Sequence, residues 1–291
     1  MKKLLFMAGL ALLLAACSTD VNNEVNNDTL VPVTVRVNGF SIAQDDFSST
    51  RTAVGDYTGL KVLTLAFYDG DTEVYKTTQT KGSMPAGATF GNFSLDLPIG
   101  SYTMVVLGYV LYDDDALTLT SPSQAEYTGG CPRETFSATQ QVSVTSTTPV
   151  NLSANLERII TCLQVISTDG KAANVKKVRM TFSAGGRQFS PLTGLATANT
   201  GSVSTVNNSA SVGATSTSTG FVFLTADEQT MNVTIETLDA SGNTLYSTVV
   251  ENVPFQRNRR TKLTGTLYPT ASATSSFSIT TTWNDDHEMS F

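Results

Sequence analysis

The sequence predicts an all-β protein of two tandem immunoglobulin-like β-sandwiches, and three observations predict it. Apolar residues recur at every second position in run after run, which buries one face of a strand and leaves the other wet. Turn residues separate these runs about every 8–12 residues, the spacing of sandwich strands. The chain has 291 residues, enough for two domains at about 150 residues each. No window of a dozen residues carries an apolar stripe at helical spacing. Charged residues make up 15% and hydrophobic residues 40%, which gives ordered cores rather than a disordered charged tail.

The N-terminus is read separately from the fold. Lys2 and Lys3 precede the apolar run Leu4 to Leu14, which is too short for a membrane-spanning helix. The run ends in Leu14-Ala15-Ala16-Cys17, which resembles a bacterial lipobox. The resemblance implies removal of residues 1–16 as a lipoprotein signal peptide and acylation of Cys17. Anchoring of this kind needs more than one acyl chain, since each buried CH₂ contributes only about 0.8 kcal/mol. Residues 17–29 are polar, asparagine-rich and acidic, and are expected to form a flexible tether. Asp28-Thr29-Leu30 resembles a short O-glycosylation acceptor of Bacteroidetes.

The first sandwich is expected over 30–154. Val33, Val35 and Val37 alternate with Thr34 and Arg36, Leu63, Leu65 and Phe67 with Thr64 and Ala66, and Phe93, Leu95 and Leu97 with Ser94 and Asp96. Asp69-Gly70-Asp71 and Pro98-Ile99-Gly100 are turns, with glycine supplying positive φ and proline fixing the approach. The second is expected over 155–291. Ile159 to Ile166 reads as a buried central strand. Val178, Met180 and Phe182, then Met231, Val233 and Ile235, alternate with polar residues. Asp239 to Asn243 is a turn; Leu245 to Val250, Leu263 to Leu267 and Phe277 to Trp283 are further strands. Ala196 to Gly220, uncharged and rich in Ser, Thr and Asn, is expected to be a mobile loop, with extended structure as the alternative.

Little in the sequence points to catalysis. A net charge of -7 lacks the basic footprint of a nucleic-acid binder. His287 is the single histidine, which argues against histidine triads and multi-histidine zinc sites. No G-x-S-x-G elbow or phosphate-binding P-loop occurs. The acidic runs Asp45-Asp46, Asp113-Asp114-Asp115 and Asp285-Asp286-His287-Glu288 lack calcium-loop spacing and read as solvated loops. No metal or cofactor is expected. Tyr109, Tyr112 and Trp283 are expected in cores rather than on a stacking surface. Arg257-Asn258-Arg259-Arg260 reads as a charged turn. Cys131 and Cys162 lie in a compartment where disulfides persist; a bridge between them and two unrelated small residues are both open.

Thr237 to Tyr246, followed by Val253-Pro254-Phe255-Gln256-Arg257-Asn258-Arg259-Arg260-Thr261-Lys262-Leu263-Thr264-Gly265, resembles the C-terminal domain of Bacteroidetes fimbrial lipoproteins. Leu156-Glu157-Arg158, Asn174 to Val178 and Leu192-Thr193-Gly194 are similar to the same group, nearest its fimbrillin-associated anchor branch. The resemblance implies two transthyretin-like sandwiches and a role in building fimbriae for cell adhesion. It also implies a surface location on the outer membrane and other fimbrial subunits as partners. Ser49 to Asp56 looks like the segment where shaft fimbrillins are cut by an arginine-specific protease, with Arg51 before the cut. Cutting would release Val33 to Val37 and open a groove for a strand of the next subunit. Phe277, Ile279, Thr281 and Trp283 are the expected donor face, the alternative being the domain's own last strand. Anchor subunits of this group are not expected to be cut. The rival function is a surface lipoprotein that captures glycan or host protein through loops such as Ala196 to Gly220.

Overall fold

The computed structural model describes residues 29–41, 51–52, 59–110, 112, 116–269, 277–281 and 289–290. Cys17, the tether up to residue 28, the acidic runs, His287 and Trp283 lie outside them. The described residues form strands, turns and bends without a helix. The first ten strands are β1 (Leu30–Ser41), β2 (Arg51–Thr52), β3 (Val62–Asp69), β4 (Thr72–Thr80), β5 (Asn92–Pro98), β6 (Gly100–Tyr109), β7 (Ala116–Ser121), β8 (Gln124–Gly129), β9 (Thr135–Val144) and β10 (Val150–Arg158). The next ten are β11 (Thr161–Ser167), β12 (Lys177–Phe182), β13 (Gln188–Phe189), β14 (Ser202–Asn207), β15 (Thr217–Val222), β16 (Glu228–Leu238), β17 (Thr244–Gln256), β18 (Arg260–Gly265), β19 (Phe277–Thr281) and β20 (Met289–Ser290). The period-two alternation therefore reads out as predicted.

One sheet runs β2-β1-β10-β9-β6-β3-β4, with β5 also on β1. Strand β10 meets β9 only at Glu157↔Ser137 and Arg158↔Phe136. The sheet therefore folds into two wings, β5-β1-β10 and β9-β6-β3-β4. Between them lies one core that joins Val31, Val33, Val35 and Val37 of β1 to Leu63, Leu65 and Phe67 of β3 and Met104 and Val106 of β6. Burying four valines at about 1.5–3 kcal/mol each makes β1 a large share of that core's cohesion.

The second half is a pair of sheets, β15-β11-β18-β19-β20 and β14-β12-β16-β17. Leu163 and Val165 of β11 face Met180, Phe182, Val233 and Ile235 across its core. The stretch expected to be mobile instead holds β14 and β15. Its Thr and Val residues satisfy the ladders with β12 and β11. The link between the two strands is held by the buried Lys171, whose Nζ donates to the carbonyls of Asn208 (2.8 Å) and Ala210 (2.7 Å).

A third core joins the halves. Strand β13 pairs with β8 through Gln188↔Glu126 and Phe189↔Ala125, completing the sheet β13-β8-β7. This sheet covers the outer face of β3 and β6. Val62, Tyr68, Val105 and Leu107 there pack with Tyr127, Phe189 and Phe223. The Phe189 and Phe223 rings stack at 4.1 Å. Burial pushes the Tyr68 phenol up to about 12, with Glu73 adding to the rise. Strand β10 continues past Ala154 to Arg158, Leu156 belongs to the first core, and Ile159 and Ile160 enter this third one. The fully buried Phe223 makes Phe223→Ala a direct test. It is expected to lower unfolding free energy by about 3–5 kcal/mol in urea denaturation. A loss below about 1 kcal/mol would mean that this core does not bind the halves together.

Candidate functional site

Two strands carry the candidate chemistry of assembly, and both are set by register. β1 runs parallel to β10 from Val33↔Val150 to Ser41↔Glu157. On its other side it runs antiparallel to β5 from Leu30↔Pro98 to Arg36↔Asn92. Its backbone is thus paired on both flanks while its valines fill the core. Removing it would leave unpaired N–H and C=O groups on β5 and β10 beside an apolar trough. Arg51 lies in β2, the terminal strand of this sheet, opposite Ser41 of β1.

The other strand is β19. It pairs antiparallel with β18 from Gly265↔Phe277 to Thr261↔Thr281. Phe277 and Ile279 are half-buried against the second core. In this structure the segment is thus the second sandwich's own strand, flanked by β18 and β20.

The seam between the halves is polar around its apolar centre. The turn at 257–259, with Asn258 at φ 59°, holds the basic cluster. Arg257 pairs with Asp227 (2.8 Å), and Arg158 pairs with Glu134 (2.7 Å) while donating to Asn258 Oδ1 (3.2 Å). The Ser137 hydroxyl donates to the Pro191 carbonyl (2.9 Å). Gly194, at φ +71°, sits so close to Ile159 that a Cβ would lie 2.8 Å from its Cγ2. The charged-turn reading holds for Arg257 to Arg259, with Arg260 opening β18, and Asn258 of the turn ties to Arg158 of β10 across the seam.

Cys131 and Cys162 are not bonded to one another. Cys131 lies against β14, where its Sγ accepts the Thr205 N–H (3.3 Å). Cys162 is in β11, and burial pushes its thiol up against the lowering pull of Arg260. Different strands and different partners separate the two. Tyr109 is in the core, as expected; Tyr112 is not, being 62% exposed with the Arg133 guanidinium 4.8 Å above its ring. Among the described residues no group of His, Cys, Asp or Glu is placed to hold a metal ion. The β13–β8 pairing and the groove beside Tyr112 were missed in the sequence. Two-residue β13 is too short for any periodicity to show.

The fold is that of Bacteroidetes fimbrial and adhesin proteins. The fimbrial anchor protein Mfa2 from Porphyromonas gingivalis aligns with TM-score 0.51 and 11% identity, over 87% of this chain and 97% of that one. A candidate polysaccharide binding protein from Bacteroides thetaiotaomicron aligns with TM-score 0.53 and 9% identity, over 89% and 98%. A candidate adhesin from the same organism aligns with TM-score 0.51 and 12% identity, over 88% and 97%. The chain itself belongs to the family of unknown function DUF6562, whose profile matches residues 24–290. No curated protein sequence matches it.

The cysteine environments give a test. In a variant with Cys17 replaced by Ser, both remaining thiols are expected to titrate with Ellman's reagent in denaturant without reductant. In the folded protein at pH 8, Cys162 is expected to alkylate far more slowly than after unfolding, because its thiolate is disfavoured. Zero titratable thiols would show a bridge instead.

Proposed function

We propose that this chain is a non-enzymatic fimbrial subunit, lipid-anchored at Cys17 on the outer membrane, that acts in cell adhesion by exchanging β-strands with sister subunits. The observation that carries the reading is the seat of β1. It is a strand paired on both flanks with its valines buried, and it ends ten residues before the candidate cut at Arg51. The likeness in fold to a fimbrial anchor and to candidate adhesins supports it.

The polarity of the strands supports it further. β1 and β10 start together, and the chain leaves for the second half at the other end of β10. Leu30 therefore lies at the end of the first sandwich away from the point where the chain leaves for the second. Until the cut at Arg51, a lipid at Cys17 would hold residues 30–154 toward the membrane and carry residues 155–291 outward. β18 starts beside Cys162 near the seam and runs outward to Gly265, and β19 returns from Phe277. A donor strand beginning at Phe277 would thus start at the outer end, where a following subunit would sit. An incoming strand on β5 and β10 would satisfy both unpaired edges and refill the trough.

The test uses an arginine-specific protease on the purified protein, followed by electrophoresis without boiling. The reading predicts an N-terminal fragment ending at Arg51 and a ladder of polymers, with both absent in Arg51→Ala. An uncut monomer under conditions that cleave a shaft fimbrillin would contradict it.

A further inference from the structure

A groove of about 960 Å³ lies across the seam between the halves. The first half contributes Lys61, Tyr112 and Arg133 to its lining, and the second contributes Lys177, Asn207 and Thr217. It is a wedge between β14 and β15, each of which is the terminal strand of its sheet. The Ser204 hydroxyl, which accepts the Phe221 N–H (3.3 Å), pins the two strands together at the wedge's apex.

The lining has three kinds of group. Tyr112 presents an exposed ring, backed by the Arg133 guanidinium. Thr217 and Asn207 are exposed side chains that can both donate and accept hydrogen bonds. Lys61 and Lys177 bring ammonium groups from opposite halves. Glu134 is the one carboxylate among the described lining residues, and it is held by Arg158. Asp113 to Asp115, next in sequence to Tyr112, lie outside the described residues. A concentration of cations on a chain of net charge -7 selects for a ligand with localised negative charge. An aromatic plate in the same groove as hydroxyl, amide and ammonium groups suits a ring that is apolar on its face and polar at its edge.

We propose that this groove binds a carboxylate-bearing saccharide. Tyr112 takes the C–H face of a sugar ring, Thr217 and Asn207 take ring hydroxyls, and Lys61 and Lys177 take the carboxylate by charge-assisted hydrogen bonds. The site uses neither β1 nor β19, so it stands or falls apart from strand exchange. It also requires both halves in their present arrangement, since each supplies one of the two lysines.

The experiment is calorimetric titration of the full mature chain with tetragalacturonate, a hyaluronan tetrasaccharide and sialyllactose. The carboxyl-reduced tetragalacturonate and lactose serve as neutral counterparts. Binding is expected for at least one acidic saccharide, with the matching neutral sugar at least about tenfold weaker. Tyr112→Ala and the double variant Lys61→Gln/Lys177→Gln are each expected to weaken it by about tenfold or more. Circular dichroism and an unchanged melting temperature confirm that the variants fold. Three results would overturn the assignment. They are no saturable binding of any acidic saccharide up to about 10 mM, equal binding of the neutral sugar, and binding that the variants leave unchanged.

Discussion

Four alternating valines on one strand hold the first sandwich shut. Val31, Val33, Val35 and Val37 are all buried, and the backbone that carries them is laddered to β10 on one side and β5 on the other. β10 and β9 meet at only two residue pairs, so the wing that contains β1 has little other attachment to its neighbour than the core itself. Hydrophobic burial and the double ladder thus act at one place. Whatever occupies the seat of β1 decides whether the wing β5-β10 stays closed on the rest of the sandwich.

The seam extends this constraint to the whole chain. If the two sandwiches shared only a linker, a tether at one end would not fix the direction of the other. Here β13 of the second half completes a sheet of the first, and Phe189 and Phe223 stack beneath it. At the rim Arg158 pairs with Glu134 and donates across the seam to Asn258. The desolvation of such a largely buried ion pair offsets most of its attraction, so the apolar centre is what makes the halves move as one. That rigidity gives meaning to a groove lined from two halves.

The architecture was largely legible in the sequence because a half-buried strand announces itself by alternation. The β1 valines and the Phe93, Leu95 and Leu97 series came out facing the core as read. Ile159 and Ile160 were legible as buried but not as leaving their strand, because a run apolar on both sides does not say which core it enters. Ala196 to Gly220 misled because Ser and Thr suit both loops and wet strand faces. The hydrogen bonds that decide between them come from β11, β12 and Lys171. Tyr112 was expected in a core and is exposed, since a single aromatic outside a periodic run has no face to read. Of the candidate site, Arg51 was singled out by resemblance and β19 by the alternation of Phe277 and Ile279. Their partners across the sheet, β1 and β18, depend on register, which no local pattern encodes.

The most direct measurement follows the fate of β1 after cleavage at Arg51. The cut protein is mixed with excess synthetic peptide spanning Phe277 to Trp283 and its flanking residues, and native mass spectrometry records what remains bound. The fragment ending at Arg51 is expected to leave as the peptide enters, one for one, with the sandwich still folded. A fragment that stays in place at every peptide concentration, or a sandwich that unfolds when the fragment leaves and is not restored by the peptide, would contradict strand exchange.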